Sequence, residues 1–503
     1  MKVFIAGASG ILGRDLAKLL SRNSIEYIGS YNSRPTEKCI KIDFFKEEEV
    51  EKALLESKVD VVINCIVERF TDVCEKDWNK TISVNVVIPD ILSRVCARNN
   101  ISFIHISTDY VFDGKAPPYS PLSEPNPLQN YGISKLIAEY RIKANLKQYL
   151  IIRVPVLYTD SYEYLDETAV TTLGKKVMNQ IDTFTEDNVS IRRPVYIPDF
   201  CEFLVTSILT NKTGIHHYYN SVDKTTKYKM IKEISKYMNL RSNHILPINS
   251  FADGGANRPL DTELADSSVP PLAVSITKGI ELCFERFIHP DFSECPEEFL
   301  VIFDLDGTLI DSDTDHYYAY RLALSGWTDL SKEYYFNIIN TKSIDYMLED
   351  LKIPVDIRPI IKRNKQNIMN TSVDWIYGAE KFIMFLDSLG IEMAIVTNTD
   401  KANVEKFCNH LPTLRKIKNV ITRQDYLVAK PDPECYKLAL ERYGKGKKYI
   451  VGFENTVNGL RALKGVTNRT YCIANKYNYL YNDLKKEDTI LIHNFDFFAH
   501  QKG

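Results

Sequence analysis

Asp304 and Asp306 stand two residues apart in FDLDGT, directly behind the apolar run Phe299-Leu300-Val301-Ile302-Phe303. A carboxylate at the end of a buried strand is suited to attack on phosphorus, forming an acyl phosphate. A second carboxylate two residues on can protonate the leaving oxygen and then activate water. Later segments supply matching groups. Thr397, with Asn398 beside it in IVTNTD, would bind phosphoryl oxygens, and Lys430 in AKPDPECY would neutralise the charge shared by phosphate and nucleophile. A Mg²⁺ ion would offset the remaining negative charge.

The other end of the chain suggests a different chemistry. Gly7, Gly10 and Gly13 follow the strand pattern KVFIA and open a helix with Leu12, Leu16, Leu19 and Leu20 on one face. This spacing lets the backbone from Gly7 through Ser9, Gly10, Ile11, Leu12 and Gly13 approach a pyrophosphate at the positive helix end. The second strand pattern, EYIGSYNSRP, lacks the acid that would bind a ribose 2′-hydroxyl and offers Ser30, Asn32 and Arg34, which suit the 2′-phosphate of NADP(H). Asp43 would bond the adenine amino group or cap a turn, and Cys65 ends a third strand at the cofactor side. Tyr131 and Lys135 are four apart and share one helical face. An ammonium beside the phenol would lower the tyrosine pKa, so that Tyr131 could hand a proton to a carbonyl oxygen, with Thr108 bonding that same oxygen.

Both sets need strands that end at a common edge. Short β-branched runs alternate with helical patterns through the first 160 residues, and the alternation resumes after 299. This predicts an α/β protein of two Rossmann-like, doubly wound parallel-sheet domains. The expected division is 1–287 for the dinucleotide-binding half, with a substrate lobe mainly after 160, then a linker at 288–298 and a second domain over 299–503. A helical stretch at about 315–375 would be a cap. At 503 residues the chain exceeds one ordinary core. Its net charge of −3 gives no basic excess for nucleic acid, and no apolar run reaches membrane-spanning length. Ten scattered cysteines without a Cys-x-x-Cys pair fit reduced thiols in a cytoplasmic protein.

With these residues in view, 1 to about 285 resembles the extended short-chain dehydrogenases of the dTDP-4-dehydrorhamnose reductase type, through GASGILG, STDYVFDG with PPY, and YGISKLIAE. Within that group IRVPVLY, ETAVT, TKYKM and GANRP resemble the regulatory beta subunit of methionine adenosyltransferase. The resemblance implies bound NADP(H), Thr108, Tyr131 and Lys135 as the catalytic set, and one of two roles. One is reduction of a 4-keto-6-deoxy nucleotide sugar; the other is a nucleotide-binding module that docks on a methionine adenosyltransferase. A homo-oligomer is compatible with either. NCIVER, 64 to 69, departs from the family's Ala-Ala-rich strand end and places Ile66 and Val67 there.

The segment 299–503 resembles the haloacid dehalogenase-like phosphatases, which act on phosphomonoesters. That resemblance implies a Mg²⁺ site at Asp304, Asp306 and Asn455, the last standing where an aspartate is usual and so weakening the ion's hold. Arg153, Arg193 and Arg258 could grip a diphosphate or belong to structural ion pairs. His105, alternating with apolar neighbours in SFIHIS, is expected in the core, and His216 and His217 in a sheet.

Overall fold

The computed structural model describes residues 1–221, 223–250, 257–266, 274–339, 344–368, 373–467, 469–474 and 481–499. Gly255 and Ala256 of the GANRP motif, and parts of the expected cap, lie outside these residues. The chain separates into two compact units. One contains 1–175, 184–237 and 245–285; the other contains 176–183, 238–244 and 286–503. A single cut at 288–298 does not anticipate the two short segments that group with the second unit.

The first unit is built on seven strands: β1 (Lys2–Ala6), β2 (Glu26–Tyr31), β3 (Cys39–Lys41), β4 (Val61–Asn64), β5 (Ser102–Thr108), β6 (Leu150–Val154) and β7 (Gly214–His217). They lie parallel in the order β7-β6-β5-β4-β1-β2-β3. Val3 to Ala6, Val61 to Asn64 and Leu150 to Val154 are buried throughout, as expected of strands covered by helices on both faces. The chain order reverses beside β1, so the ends of β1 and β4 open at the switch point where dinucleotides bind in such sheets. The segment after 160 is not only a separate lobe, because it returns β7 to this sheet. Its remaining elements include helices Ala169–Met178, Ile197–Leu209 and Lys227–Met238 and a parallel pair of short strands, Phe184–Asp187 with Ile245–Ile248.

The second unit carries a parallel sheet of β8 (Phe299–Phe303), β9 (Glu392–Val396), β10 (Asn419–Ile421), β11 (Tyr449–Glu454), β12 (Arg469–Ile473) and β13 (Ile490–Ile492), in the order β10-β9-β8-β11-β12-β13. β8 is central and buried along its whole length. The polypeptide just after it therefore emerges in the middle of one sheet edge. Four helices, Asp313–Ala323, Lys332–Ile339, Ile344–Asp350 and Arg358–Ile368, occupy the stretch expected to be a cap and share an apolar cluster that includes Tyr317, Leu324, Tyr335, Met347 and Ile361.

Two candidate active sites

In the first unit the glycine turn has the shape that pyrophosphate binding requires. Gly7 has φ +87°, a conformation costly for residues bearing a Cβ. A Cβ on Gly13 would lie 2.4 Å from the Gly7 carbonyl oxygen, so only glycine lets the helix Ile11–Arg22 pack this close to the turn. The amides of Ile11 and Leu12 open that helix and lack partners within it. A cradle of backbone donors that any side chain would fill fits a dinucleotide phosphate.

Several residues expected at the cofactor are otherwise engaged. Ser30 is buried, and its hydroxyl accepts from the Gly7 amide at 2.9 Å. That bond shapes the turn. Asp43 accepts from the Phe45 amide and lies 3.5 Å from Lys46, as a turn-capping aspartate does. Asn32 is exposed, whereas Arg34 pairs with Glu163 at 3.1 Å and Glu167 at 3.3 Å. Arg14 pairs with the same Glu167 at 2.6 Å. A cavity of about 400 Å³ beside the turn is lined by Ala8, Arg14, Lys18, Tyr27, Thr36 and Cys39; Tyr131 and Lys135 are not among its walls.

Thr108 ends β5, and Tyr131 and Lys135 lie on the helix Asn130–Asn145. The Thr108 hydroxyl donates to Asp109 at 3.1 Å and accepts from the Tyr110 amide, and its contact with the Tyr131 phenol favours the deprotonated form without outweighing burial. The electrostatics run opposite to the sequence expectation. Burial, with Asp109 nearby, pushes the Tyr131 phenol up rather than down. Lys135 is buried and its amine is hydrogen-bonded to His105 at 3.1 Å. Burial also lowers Lys135 to about 8 and raises Cys65 to about 12. His105 is in the core as expected, but in a polar chain, since Asn64 meets its other ring nitrogen at 3.1 Å.

The three arginines take up ion pairs. Arg153 pairs with Glu139 at 2.7 Å, both fully buried; Arg193 with Asp261 and Glu263; Arg258 with Asp72. His217 is buried in β7 and held down at about 4 by burial and Arg153.

The second unit brings its expected residues together. Lys430 reaches Asp304 at 2.6 Å and Glu454 at 2.7 Å, and Tyr436 donates to Glu454 at 2.6 Å. Thr308 touches Asp304 at 3.2 Å and Asn455 at 3.4 Å. Burial pushes Asp304 above the usual carboxylate range despite Lys430, because Glu454 and Asp306 add negative charge. Lys430 is held upward by its two carboxylates, which outweigh its burial. Burial would also raise Asp306, but His316, Ser312 and Thr399 outweigh it and hold that carboxyl well below the usual range. Ser312 and Thr399 donate to Asp306 at 2.6 and 2.5 Å, and Thr397 at 3.4 Å. Asn398, exposed at the end of β9, accepts from Tyr426 at 2.6 Å.

Asp304 and Asn455, gathered on Thr308, offer a carboxylate and an amide oxygen. These are hard donors of the kind Mg²⁺ takes alongside phosphate oxygens and water. Asp306 is the third candidate, though its carboxyl oxygens are already occupied by hydroxyl donors.

Sequence reasoning missed His316 and Lys365. His316 Nε2 lies 3.4 Å from Asp306, and its Nδ1 meets Lys365 of the last cap helix at 3.0 Å. Burial lowers Lys365 to about 8, against the pull of Asp306 and Asp400. Replacing His316 with Asn removes the imidazole contact of the Asp306 carboxyl. An expected loss of roughly tenfold in kcat/KM for aryl phosphate hydrolysis, below the 10²–10⁴-fold worth of a general acid–base group because His316 acts through Asp306, checks that link.

Comparison with known proteins accounts for both halves. Residues 1–276 match the RmlD substrate binding domain family. The chain belongs to that family. Residues 301–467 match the haloacid dehalogenase-like hydrolases, so one polypeptide joins a reductase-like and a hydrolase-like domain. The methionine adenosyltransferase 2 subunit beta of Danio rerio is 32% identical over 281 residues, 55% of this chain and 86% of that protein. The Bos taurus protein of the same name is 31% identical over 294 residues, 58% of this chain and 87% of that protein. A probable low-salt glycan biosynthesis reductase of Haloferax volcanii is 38% identical over 162 residues, 31% of this chain and 54% of its own length. Among solved structures, the Bacillus anthracis dTDP-4-dehydrorhamnose reductase in complex with NADP shares 23% identity and a TM-score of 0.50, covering 56% of this chain and 98% of that one. These neighbours share the Rossmann-like fold. No helix among the described residues is long and apolar enough to cross a membrane.

Proposed function

We propose that this chain joins an NADP(H)-dependent reductase of a 4-keto-6-deoxy nucleotide sugar to a Mg²⁺-dependent phosphatase that works through an aspartyl phosphate. The observation that carries the second activity is the Lys430 ammonium held 2.6 Å from Asp304 at the end of a central strand. In the proposed reaction an Asp304 oxygen bonds to phosphorus as the ester P–O bond breaks, and Asp306, a carboxylate at rest, passes to the departing oxygen a proton that it first takes up from solvent water. Asp306 then takes a proton from water as that water attacks phosphorus, releasing phosphate and Asp304. Mg²⁺, held by Asp304, Asp306 and Asn455, would supply countercharge for the phosphoryl oxygens. Hydrolysis of p-nitrophenyl phosphate by the full chain, dependent on added Mg²⁺, tests this. No hydrolysis at saturating Mg²⁺ would overturn it.

For the first activity, the Gly7–Gly13 turn would hold the pyrophosphate, and the nicotinamide would supply hydride when bound. Tyr131 donates its phenol proton to the carbonyl oxygen. Its raised proton affinity keeps it in the donating form at neutral pH. NADPH oxidation on adding a 4-keto-6-deoxy nucleotide sugar should fall at least about 10²-fold in Tyr131→Phe, as expected for removal of a general acid.

Arg14, in the wall of the cavity beside the glycine turn, and Arg34 are both paired with Glu167, and we take them as the cations for the 2′-phosphate. Glu163→Gln together with Glu167→Gln should free them and tighten NADPH binding roughly two- to fivefold at low salt, as the modest energy of exposed pairs implies. Equal affinity in the two proteins would remove Arg34 from the site.

A second reading is favoured by the engagement of Lys135 with His105 and by the named relatives: a nucleotide-binding regulatory module for a methionine adenosyltransferase. Tight NADP(H) binding without turnover, together with co-purification of that enzyme, would establish it in place of the reductase.

A further inference from the structure

We propose that the second unit takes phosphomonoesters whose leaving alcohol carries a further anionic group, a carboxylate or a second phosphate, and that Lys365 binds that group. This rests on the phosphatase reading above, through the roles it gives Asp304 and Asp306.

The course of the reaction fixes which side chains the alcohol meets. A phosphoryl group passes between attacking and leaving oxygens that stand roughly in line. With Asp304 attacking and Asp306 protonating the departing oxygen, the alcohol lies on the Asp306 side of phosphorus. Ser312, Thr399 and Thr397 are already turned onto the Asp306 carboxyl as hydroxyl donors. His316, on the helix Asp313–Ala323, brings its Nε2 to 3.4 Å from the same carboxyl. Behind the ring, Lys365 of the helix Arg358–Ile368 meets Nδ1 at 3.0 Å. A lysine is thus held one imidazole away from the proton donor of the reaction.

The directions of these contacts leave a donor on the alcohol's side. At neutral pH Lys365 is an ammonium, lowered only to about 8, and an ammonium can only donate. His316 Nδ1 must therefore accept, and the ring carries its proton on Nε2. Nε2 is buried, and its contact with Asp306 is not aligned as a hydrogen bond, so its N–H has no acceptor among the described residues. Folded proteins rarely leave such a group unpaired, and an oxygen of the departing alcohol would complete it.

Lys365 gives the reason for a second negative charge. The residue is only 7% exposed. Taking an ammonium out of water is costly unless anions compensate. Asp306 and Asp400 attract it, yet burial outweighs them. Its hydrogen bond to His316 goes to an uncharged ring, and the face of Tyr320 lies 5.4 Å away. An anionic group on the alcohol would meet this cation where water is already excluded, and there a charge-assisted bond is strong. It would also need the cation, because Asp306 rests as a carboxylate and would repel it. A neutral alcohol gains nothing from Lys365.

Three esters of one chain length provide the test: propyl phosphate, the phosphate ester of 3-hydroxypropanoate, and propane-1,3-diol bisphosphate. Their far ends are neutral, a carboxylate and a phosphate. Binding to the full chain carrying Asp304→Asn is measured by calorimetry with Mg²⁺ present, so the readout needs no turnover. At least one anionic ester should bind about tenfold or more tightly than propyl phosphate, the size of one charge-assisted contact. The tighter of the two identifies the group as carboxylate or phosphate. Adding Lys365→Met should bring that ratio to within roughly twofold of unity. Lys365→Gln reads the same ratio if the methionine variant does not fold. A lysine that only supports the structure would weaken all three esters alike, and a ratio unchanged by its removal would overturn the proposal. So would a ratio near unity with Lys365 in place. Lys365-dependent binding of the anionic esters by a chain that hydrolyses none of them would remove the phosphatase reading and leave the anion site. Hydrolysis without any preference among the three would do the reverse.

Discussion

Asp304→Asn should abolish phosphate ester hydrolysis, by on the order of 10⁴-fold or more, because removal of a nucleophile leaves only binding and electrostatic assistance. The fold should survive. Asn has the same shape, and Lys430 keeps Glu454 at 2.7 Å as its counterion. The variant should also alter the response of stability to pH in a direction fixed by the site. The folded-state Asp304 carboxyl is pushed above its ordinary value by burial and by Glu454 and Asp306. Above an unfolded value of about 3.9 the unfolded chain has released this proton, while the folded chain still holds it. The unfolded state therefore binds fewer protons, and stability falls as pH rises from the ordinary carboxylate range toward the raised folded value. Asparagine has no proton to lose. Urea unfolding of the metal-free full chain from pH 4 upward should show a flatter profile in Asp304→Asn than in wild type. Retained hydrolysis in Asp304→Asn would end the aspartyl-phosphate reading, whatever the stability profile shows.

What could be read from the sequence was whatever is local. The Gly7–Gly13 turn is one strand, one turn and one helix, and the demand for glycine at Gly7 and Gly13 follows from backbone geometry within a few residues. Asp304 and Lys430 are 126 residues apart, yet each follows a strand or lies in a short recognisable motif, so their meeting at one sheet edge follows from parallel topology. Contacts that depend on distant partners were not legible. Ser30 looks like a polar strand-end residue until the Gly7 amide is found on its hydroxyl. His105 alternates with apolar neighbours, and nothing nearby in sequence shows that Lys135, thirty positions on, contacts it. Lys135 itself has the right helical spacing to Tyr131, but spacing does not say which neighbour receives the amine. His316 and Lys365 come from separate cap helices and follow no spacing rule, so only the folded chain shows that they lie over Asp306.

Lys430→Met should be the most destabilising single change in the second site, and more so than Asp304→Asn. Lys430 is almost wholly buried and its ammonium is shared by Asp304 and Glu454. Removing the cation leaves two carboxylates in a site that has already lost water, a change worth roughly 3–5 kcal/mol when one partner of a buried pair is deleted. For a unit of this size that corresponds to a fall of roughly 10 °C in the midpoint of its thermal transition. Part of the loss should return on acidification, because protonating Asp304 or Glu454 relieves the uncompensated charge. The double variant Lys430→Met with Asp304→Asn supplies the decisive comparison. If the ammonium bridges both carboxylates, removing one of them should make the lysine change less costly, and the two effects will not add. Simple additivity would mean that Lys430 stabilises the fold through its apolar stem and its contact with Tyr436, and that the shared charge contributes little.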